Sequence, residues 1–210
     1  MNDAPAPAID PDTVKGFLDP DEGRTLAADA FALASEGACV EIGSYCGKSS
    51  LYIGSALKAA GGRLFAVDHH RGSEENQPGW EYHDAELWDD EAGAMDTLPH
   101  LRRTLRRAGL EETVIPVVGR SAAIADVWRA PISFLFIDGG HTMEAALNDY
   151  RLWTPHIIPG GILAIHDVFP NPADGGRPPF EIYELAKASG LYEDLGLTKT
   201  LARLRRIGAV

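Results

Sequence analysis

Positive charge is scarce in this sequence: 19 Lys and Arg stand against 31 Asp and Glu in 210 residues, a formal net charge of −12. A surface that displaces counterions from a phosphate backbone needs the opposite balance, so no nucleic-acid partner is expected. The basic clusters that do occur are Arg102-Arg103 with Arg106-Arg107, and Arg203 with Arg205-Arg206. They lie in a helix-patterned stretch and a final strand-like run, where a solvated face accounts for them. Cysteine is nearly absent, and Cys39 and Cys46 flank one predicted strand end, too far apart along an extended chain to bridge easily. Reduced thiols and cytoplasmic residence are the expectation. Long apolar runs are missing too: none approaches ~18 residues, and the opening MNDAPAPAIDPD lacks the basic-then-apolar order of a secretory signal. Neither a membrane partner nor export is expected.

What is present suits one globular unit, since 45% apolar residues over 210 positions can bury a core. Residues 1–18, rich in Pro, Ala and Asp near their start, are expected as a loose arm, and 19–210 as a single domain. Asp19-Pro20-Asp21-Glu22 reads as an N-cap, a first-turn proline and an N3 glutamate, opening a helix that Gly37 stops. Short β-rich runs then alternate with amphipathic stretches: Cys39–Gly43, Gly47–Ala60, Arg63–Asp68, Asp90–Ala108, Thr113–Val118, Ser121–Arg129, Ile132–Asp138, Met143–Trp153 and Gly161–Asp167. That alternation predicts a parallel sheet with helices on both faces. A helix near Phe180–Ser189 and two strand-like runs, Leu191–Leu197 and Thr200–Ile207, predict an antiparallel hairpin at one edge. Two insertions, 71–90 and 169–179, leave the carboxyl edge of the sheet, where open α/β folds bind ligands. The first is acidic and aromatic, with Trp80, Tyr82 and His83, and is expected to act as a lid or acceptor loop.

Val40-Glu41-Ile42-Gly43-Ser44-Tyr45-Cys46-Gly47-Lys48-Ser49 follows the first strand and opens a helix, a placement that offers backbone N–H groups to a ligand. Gly47-Lys48-Ser49 ends like a nucleotide-phosphate loop, but that loop requires four residues between its glycines, and only Ser44, Tyr45 and Cys46 intervene here. Asp68, at the end of the second strand, can accept both hydrogen bonds of a ribose diol. A nucleoside therefore fits better than a triphosphate, and Glu41 beside the loop repels phosphate while suiting a cationic group.

From Cys39 to Asp167 the sequence resembles catechol O-methyltransferase and its relatives, including metal-dependent sugar and antibiotic O-methyltransferases. The motif that carries the likeness is Glu41-Ile42-Gly43-Ser44-Tyr45-Cys46-Gly47-Lys48-Ser49. The resemblance implies a Rossmann-like class I methyltransferase fold, with a mostly parallel seven-stranded sheet and an antiparallel C-terminal edge hairpin. It implies S-adenosylmethionine (SAM) as cofactor, with Gly43 admitting the cofactor to the backbone and Glu41, Tyr45 and Ser49 on its methionine part. Asp68 would then take the ribose, and Gly119, Arg120 and Ser121 would border the adenine, with Asp138 close to the cofactor as well.

A second cluster is read from two neighbouring strand endings, Asp138-Gly139-Gly140-His141 and His166-Asp167. Carboxylates and imidazoles converging at one edge are costly to hold without partners, and such donors suit a divalent ion. In the resembling family the matching positions bind magnesium, which makes Asp138, His166 and Asp167 the expected metal ligands. His166 replaces an acidic residue there, so either its imidazole is the third ligand or water fills the place. His141 stands where relatives carry a lysine or histidine base, and is expected to deprotonate the acceptor hydroxyl. The acceptor is expected to be a small sugar or polyol, with the 1-hydroxyl of a short mannoside as one candidate, and the assembly a homo-oligomer, dimer first. A P-loop nucleotide hydrolase and a catalytically silent SAM-binding module are the competing readings.

Overall fold

Strands that are apolar on both faces must be covered on both faces, and this decides the architecture. The computed structural model describes residues 4–80 and 83–208. In chain order the elements are α1 (Pro20–Leu33), β1 (Ala38–Ile42), α2 (Lys48–Ala60), β2 (Leu64–Asp68), β3 (Trp88–Asp89), β4 (Ala94–Met95), α3 (Leu98–Ala108) and β5 (Val114–Val118). There follow α4 (Ser121–Val127), β6 (Ile132–Ile137), α5 (Met143–Trp153), β7 (Ile157–Ile165), α6 (Pro178–Ala188), β8 (Tyr192–Thr198) and β9 (Leu201–Arg206). Seven strands form one sheet in the order β5-β2-β1-β6-β7-β9-β8, parallel through β7 and antiparallel from β7 to β9 and from β9 to β8. The expected seven-stranded sheet with its antiparallel edge hairpin is present.

Alternate residues of each strand feed two cores. Phe134 and Phe136 join Leu26 and Ala30 of α1, Leu51 and Leu57 of α2, and Leu101 and Leu105 of α3. Leu135 and Ile137 instead join Ala125 of α4, Ala146 and Trp153 of α5, and Ile182 of α6. Three helices thus cover each face. The α1 capping box forms as read: the Asp19 carboxylate accepts from Asp21 N–H, and Asp19 N–H donates to Glu22 Oε2 at 3.2 Å.

Three local expectations differ. Residues 88–95 form the short β3–β4 ribbon rather than the start of a helix, and α3 begins at Leu98, where Pro99 suits its first turn. β7 starts at Ile157, four residues before Gly161, with a register shift against β6 that glycine at 160, φ +86°, accommodates. The N-terminal arm is packed over part of its length, since the apolar side chains of Val14 and Leu18 are buried in the first core. Cys39 and Cys46 are free and buried. Among the described residues no helix is long and apolar enough to cross a membrane.

Candidate functional site

The parallel strands β5, β2, β1, β6 and β7 all end at one edge, and each delivers a residue singled out from the sequence: Gly119, Asp68, Gly43, Asp138 and Asp167. Among the described residues four non-glycines have left-handed φ: Tyr45 at 46°, His70 at 59°, Asp167 at 55° and Lys199 at 55°. The first three sit on this edge. Strained backbone of this kind persists only where its surroundings enforce it, and it gathers at functional sites.

At the end of β1 the loop is braced from below. Asp68 Oδ2 accepts from Ser44 N–H at 3.0 Å and Tyr45 N–H at 2.9 Å, while Oδ1 accepts from His70 N–H at 2.7 Å. Gly43 has φ +88°, and a Cβ there would lie 2.0 Å from the Asp138 carbonyl oxygen. The close approach that demands glycine in this structure is with the β6 ending. Gly47, φ +92°, caps α2, and Ser49 lies buried in the first turn. Glu41 is fully buried and accepts from Ser50 Oγ. Burial pushes its carboxyl up to about 7 against the opposing hydrogen bonds of Ser49 and Ser50. Glu41 Oε1 and Ser44 Oγ are buried with no hydrogen-bond partner. Orphaned polar atoms are rare in folded proteins, and two of them beside this loop fit a polar ligand group.

Along the β5 ending, Gly119 N–H donates to the Asp68 carbonyl at 3.0 Å, and Arg120 is the N-cap of α4. The Ser121 hydroxyl is already engaged, donating to Asp149 and accepting from Trp153 Nε1 at 2.8 Å. Burial raises the Asp149 carboxyl to about 6 despite the Ser121 bond.

The β6 and β7 endings bring Asp138, His141 and Asp167 together, each offering a donor atom within 4.8 Å of the others. Two carboxylates and an imidazole form a donor set that fits a divalent cation. His141 Nε2 lies 3.3 Å from Asp167 Oδ2, and its side chain is 31% exposed. His166 is 5% exposed and has both ring nitrogens on carboxylates: Nδ1 3.1 Å from Asp138 Oδ1, and Nε2 3.0 Å from Glu22 Oε2. Both His166 ring nitrogens are thus engaged by carboxylates, whereas His141 is the imidazole on the open side and joins Asp138 and Asp167 in the candidate cluster. Burial alone would lower the His166 pKa, but the surrounding carboxylates Asp138, Asp167 and Glu22 raise it well above the ordinary range. Burial likewise opposes ionisation of Glu22, yet hydrogen bonds from His166 and Thr200 hold its carboxyl at about 2.

Beside the loop an open cleft of about 410 Å³ is lined by Lys15, Phe17, Tyr45, His83 and Asp84, among others. Phe17 is 71% exposed, with its ring centroid 6.3 Å from that of Tyr45. Lys15 ties the arm to the insertion through Asp84 and Glu86.

Residues 40–168 match the family described as "Methyltransferase domain". The chain belongs to this methyltransferase family. Solved structures share its fold. NovP, an O-methyltransferase, is 16% identical with a TM-score of 0.69, covering 90% of this chain and 80% of NovP. SAH-bound Podospora anserina methyltransferase PaMTH1 is 12% identical with a TM-score of 0.63, covering 91% and 80%. CalS11, a TDP-rhamnose 3′-O-methyltransferase of calicheamicin biosynthesis solved in its apo form, is 13% identical with a TM-score of 0.58, covering 90% and 81%.

In this methyltransferase the edge gathers Glu41, Gly43, Tyr45, Ser49, Asp68, Gly119, Asp138, His141 and Asp167, while Arg120 stands exposed at its margin. Of the acceptor residues expected in the insertion, Trp80 is 61% exposed, and Tyr82 falls outside the described residues. His83 Nδ1 donates to the Asn76 carbonyl at 2.9 Å, and the ring packs edge-on to Trp88. Sequence reasoning missed Lys15, Phe17 and the buried role of Glu22. The first two pair with residues far along the chain and leave no local pattern, and Glu22 carries a capping signal that hides its second task.

Proposed function

We propose that this methyltransferase transfers the methyl group of SAM to a hydroxyl of a small sugar or polyol, assisted by a divalent cation, magnesium by family default. The observation that carries the reading is the meeting of Asp138, His141 and Asp167 on the same strand edge as the Asp68-braced glycine loop. Because each carboxylate oxygen has two acceptor sites and backbone donors take three of the four, Asp68 can still accept from one ribose hydroxyl, at Oδ1. The orphaned Glu41 Oε1 and Ser44 Oγ, with Tyr45 and Ser49, are assigned to the methionine end. With the Ser121 hydroxyl engaged internally, the adenine is bordered by the backbone of residues 119–121.

SAM supplies an electrophilic methyl, and a bound cation would supply stabilisation of a hydroxyl as its proton leaves. Asp138 and Asp167 would hold the cation, and His141 Nε2 would receive the proton. Alignment of the acceptor oxygen is the larger part of the protein's task. A second reading makes His141 the third ligand, favoured by its place in the three-residue cluster. Loss of cation affinity in His141→Ala supports the ligand, whereas loss of kcat alone supports the base.

Sugar is favoured over phenol by the cleft, whose Phe17 and Tyr45 rings and Lys15, His83 and Asp84 polar groups suit stacking and hydrogen bonding on a pyranose. That CalS11 acts on a sugar nucleotide is in keeping with this choice. The 1-hydroxyl of a short mannoside is the first acceptor to try. We also take residues 19–210 as one catalytic domain and the enzyme as a cytoplasmic homodimer. Two free thiols support the compartment, and exposed Leu197 in β8 and Ile207 just past β9 support the dimer.

The test is a panel of mannosides, other sugars, polyols and phenols incubated with SAM, with and without EDTA, and read by product mass. A methylated sugar that vanishes on chelation and returns with magnesium or manganese is expected. Full turnover in EDTA after exhaustive dialysis removes the cation. Tight SAM binding with no product from any acceptor identifies a silent SAM-binding module instead.

A further inference from the structure

We propose that Glu22 is a positioning residue for the cation site, acting through His166 on Asp138; this rests on the cation reading of Asp138, His141 and Asp167 above. As a helix cap Glu22 needs only its bond from Asp19 N–H, at 3.2 Å the longest it makes. A capping glutamate is ordinarily exposed, yet this one is 2% exposed. Its Oε1 accepts from the backbone N–H of Thr200 at 2.9 Å and from Thr200 Oγ1 at 2.8 Å, and Oε2 meets His166 Nε2 at 3.0 Å. Capping explains none of these three.

Thr200 is itself delivered with care. Lys199, a non-glycine at φ +55°, turns the β8–β9 hairpin so that the Thr200 N–H reaches Glu22, while the Thr200 carbonyl accepts from Val168 N–H at 2.9 Å. Helix α1 and the hairpin turn therefore clamp one carboxylate from two sides. That carboxylate fixes the His166 ring, and His166 Nδ1, 3.1 Å from Asp138 Oδ1, leaves one Asp138 oxygen not engaged by the ring. A carboxylate already held in one orientation loses less freedom when it binds a cation, and outer-shell partners of this kind typically alter metal affinity by about 10–100-fold.

The experiment measures the manganese dissociation constant of the full chain by titration calorimetry for wild type, Glu22→Ala and Glu22→Gln, alongside SAM affinity, thermal melting and kcat against manganese concentration. Glutamine can still accept from Thr200 and donate to His166 Nε2, whose Nδ1–H then still serves Asp138. Glu22→Ala is expected to weaken manganese binding by about tenfold or more, with SAM affinity unchanged and most of kcat regained at saturating manganese, while Glu22→Gln stays within about threefold of wild type. A folded Glu22→Ala protein with wild-type manganese affinity overturns the proposal, since a purely structural cap would lower only the melting temperature. A Glu22→Gln protein as impaired as Glu22→Ala overturns the hydrogen-bond chain. Should Glu22→Ala fail to fold, Thr200→Val, which removes one bond from Glu22 Oε1, is read in the same way, with a rise of about threefold expected and no change refuting. Wild-type protein that binds no manganese and turns over in EDTA removes the cation reading itself, a result separate from wild-type binding that Glu22→Ala leaves untouched.

Discussion

Replacing Asp68 by Asn tests the glycine loop and the cofactor site together. The carboxylate accepts three backbone N–H bonds of 2.7–3.0 Å, two from the loop and one from His70. Asparagine keeps one oxygen and turns the other into a donor, so it can serve the Ser44–Tyr45 pair or His70, not both. Hydrogen bonds to charged groups contribute roughly 1.5–3 kcal/mol each, and the partial exposure of Asp68 favours the lower end, so a loss of about 2 kcal/mol is expected. For a chain of this length that corresponds to a fall of about 4–8 °C in Tm. The loop donors would relax and a ribose acceptor would be blunted, raising the SAM dissociation constant by about 10–100-fold, or roughly 1.4–2.8 kcal/mol. Thermal melting followed by circular dichroism and SAM titration calorimetry report the two effects independently. An Asp68→Asn protein with wild-type Tm and wild-type SAM affinity refutes both the brace and the ribose assignment. If Tm falls while SAM affinity holds, Asp68 is a brace alone.

Two further outcomes follow from the edge. His141→Ala should lower kcat by about 10²–10⁴-fold with SAM affinity preserved, as for a positioned acid–base group, and stopped-assay product mass checks it; near-wild-type kcat returns His141 to an ordinary loop residue. The buried Glu41 carboxyl, raised to about 7 by desolvation, is partly protonated at neutral pH, and a cationic methionine group beside it favours ionisation. SAM binding near pH 7 should therefore release a fraction of a proton, seen as a calorimetric enthalpy that varies with buffer ionisation heat. The release should fade above about pH 8, where Glu41 is already ionised without SAM, and should grow as the pH drops just below 7, until the carboxyl stays protonated in the bound state as well. A buffer-independent enthalpy, or the same release from Glu41→Gln, contradicts the assignment.

The sheet was legible because each buried strand alternates between two cores, so Ile132–Ile137 could hardly be anything but a central strand. Strand endings were legible for the same reason: parallel order puts Asp68, Asp138 and Asp167 at one edge whatever their side chains do. Orientation was not legible. Nothing in the pairs Gly140-His141 and His166-Asp167 tells which imidazole turns inward, and the answer depends on Glu22, a residue 144 positions away from His166. Asp90–Ala108 misled because its amphipathic pattern starts before Pro99, and a two-residue strand such as β3 or β4 has too few alternations to register. The arm misled through composition, since the Pro- and Ala-rich opening conceals that Val14 and Leu18 have a core to enter.

The clamp on Glu22 also bears on biosynthesis. Thr200 lies 178 positions beyond Glu22, so a chain still emerging from the ribosome can form α1 and most of the parallel sheet while this carboxylate has no hairpin to meet. Closing so long a loop comes late, after local helices and neighbouring strands. Until β8 and β9 are released, His166 lacks its anchored partner and the Asp138 side chain can reorient. Nascent and truncated chains should thus order the glycine loop before the edge that carries Asp138, His141 and Asp167, whose full arrangement waits for the last two strands.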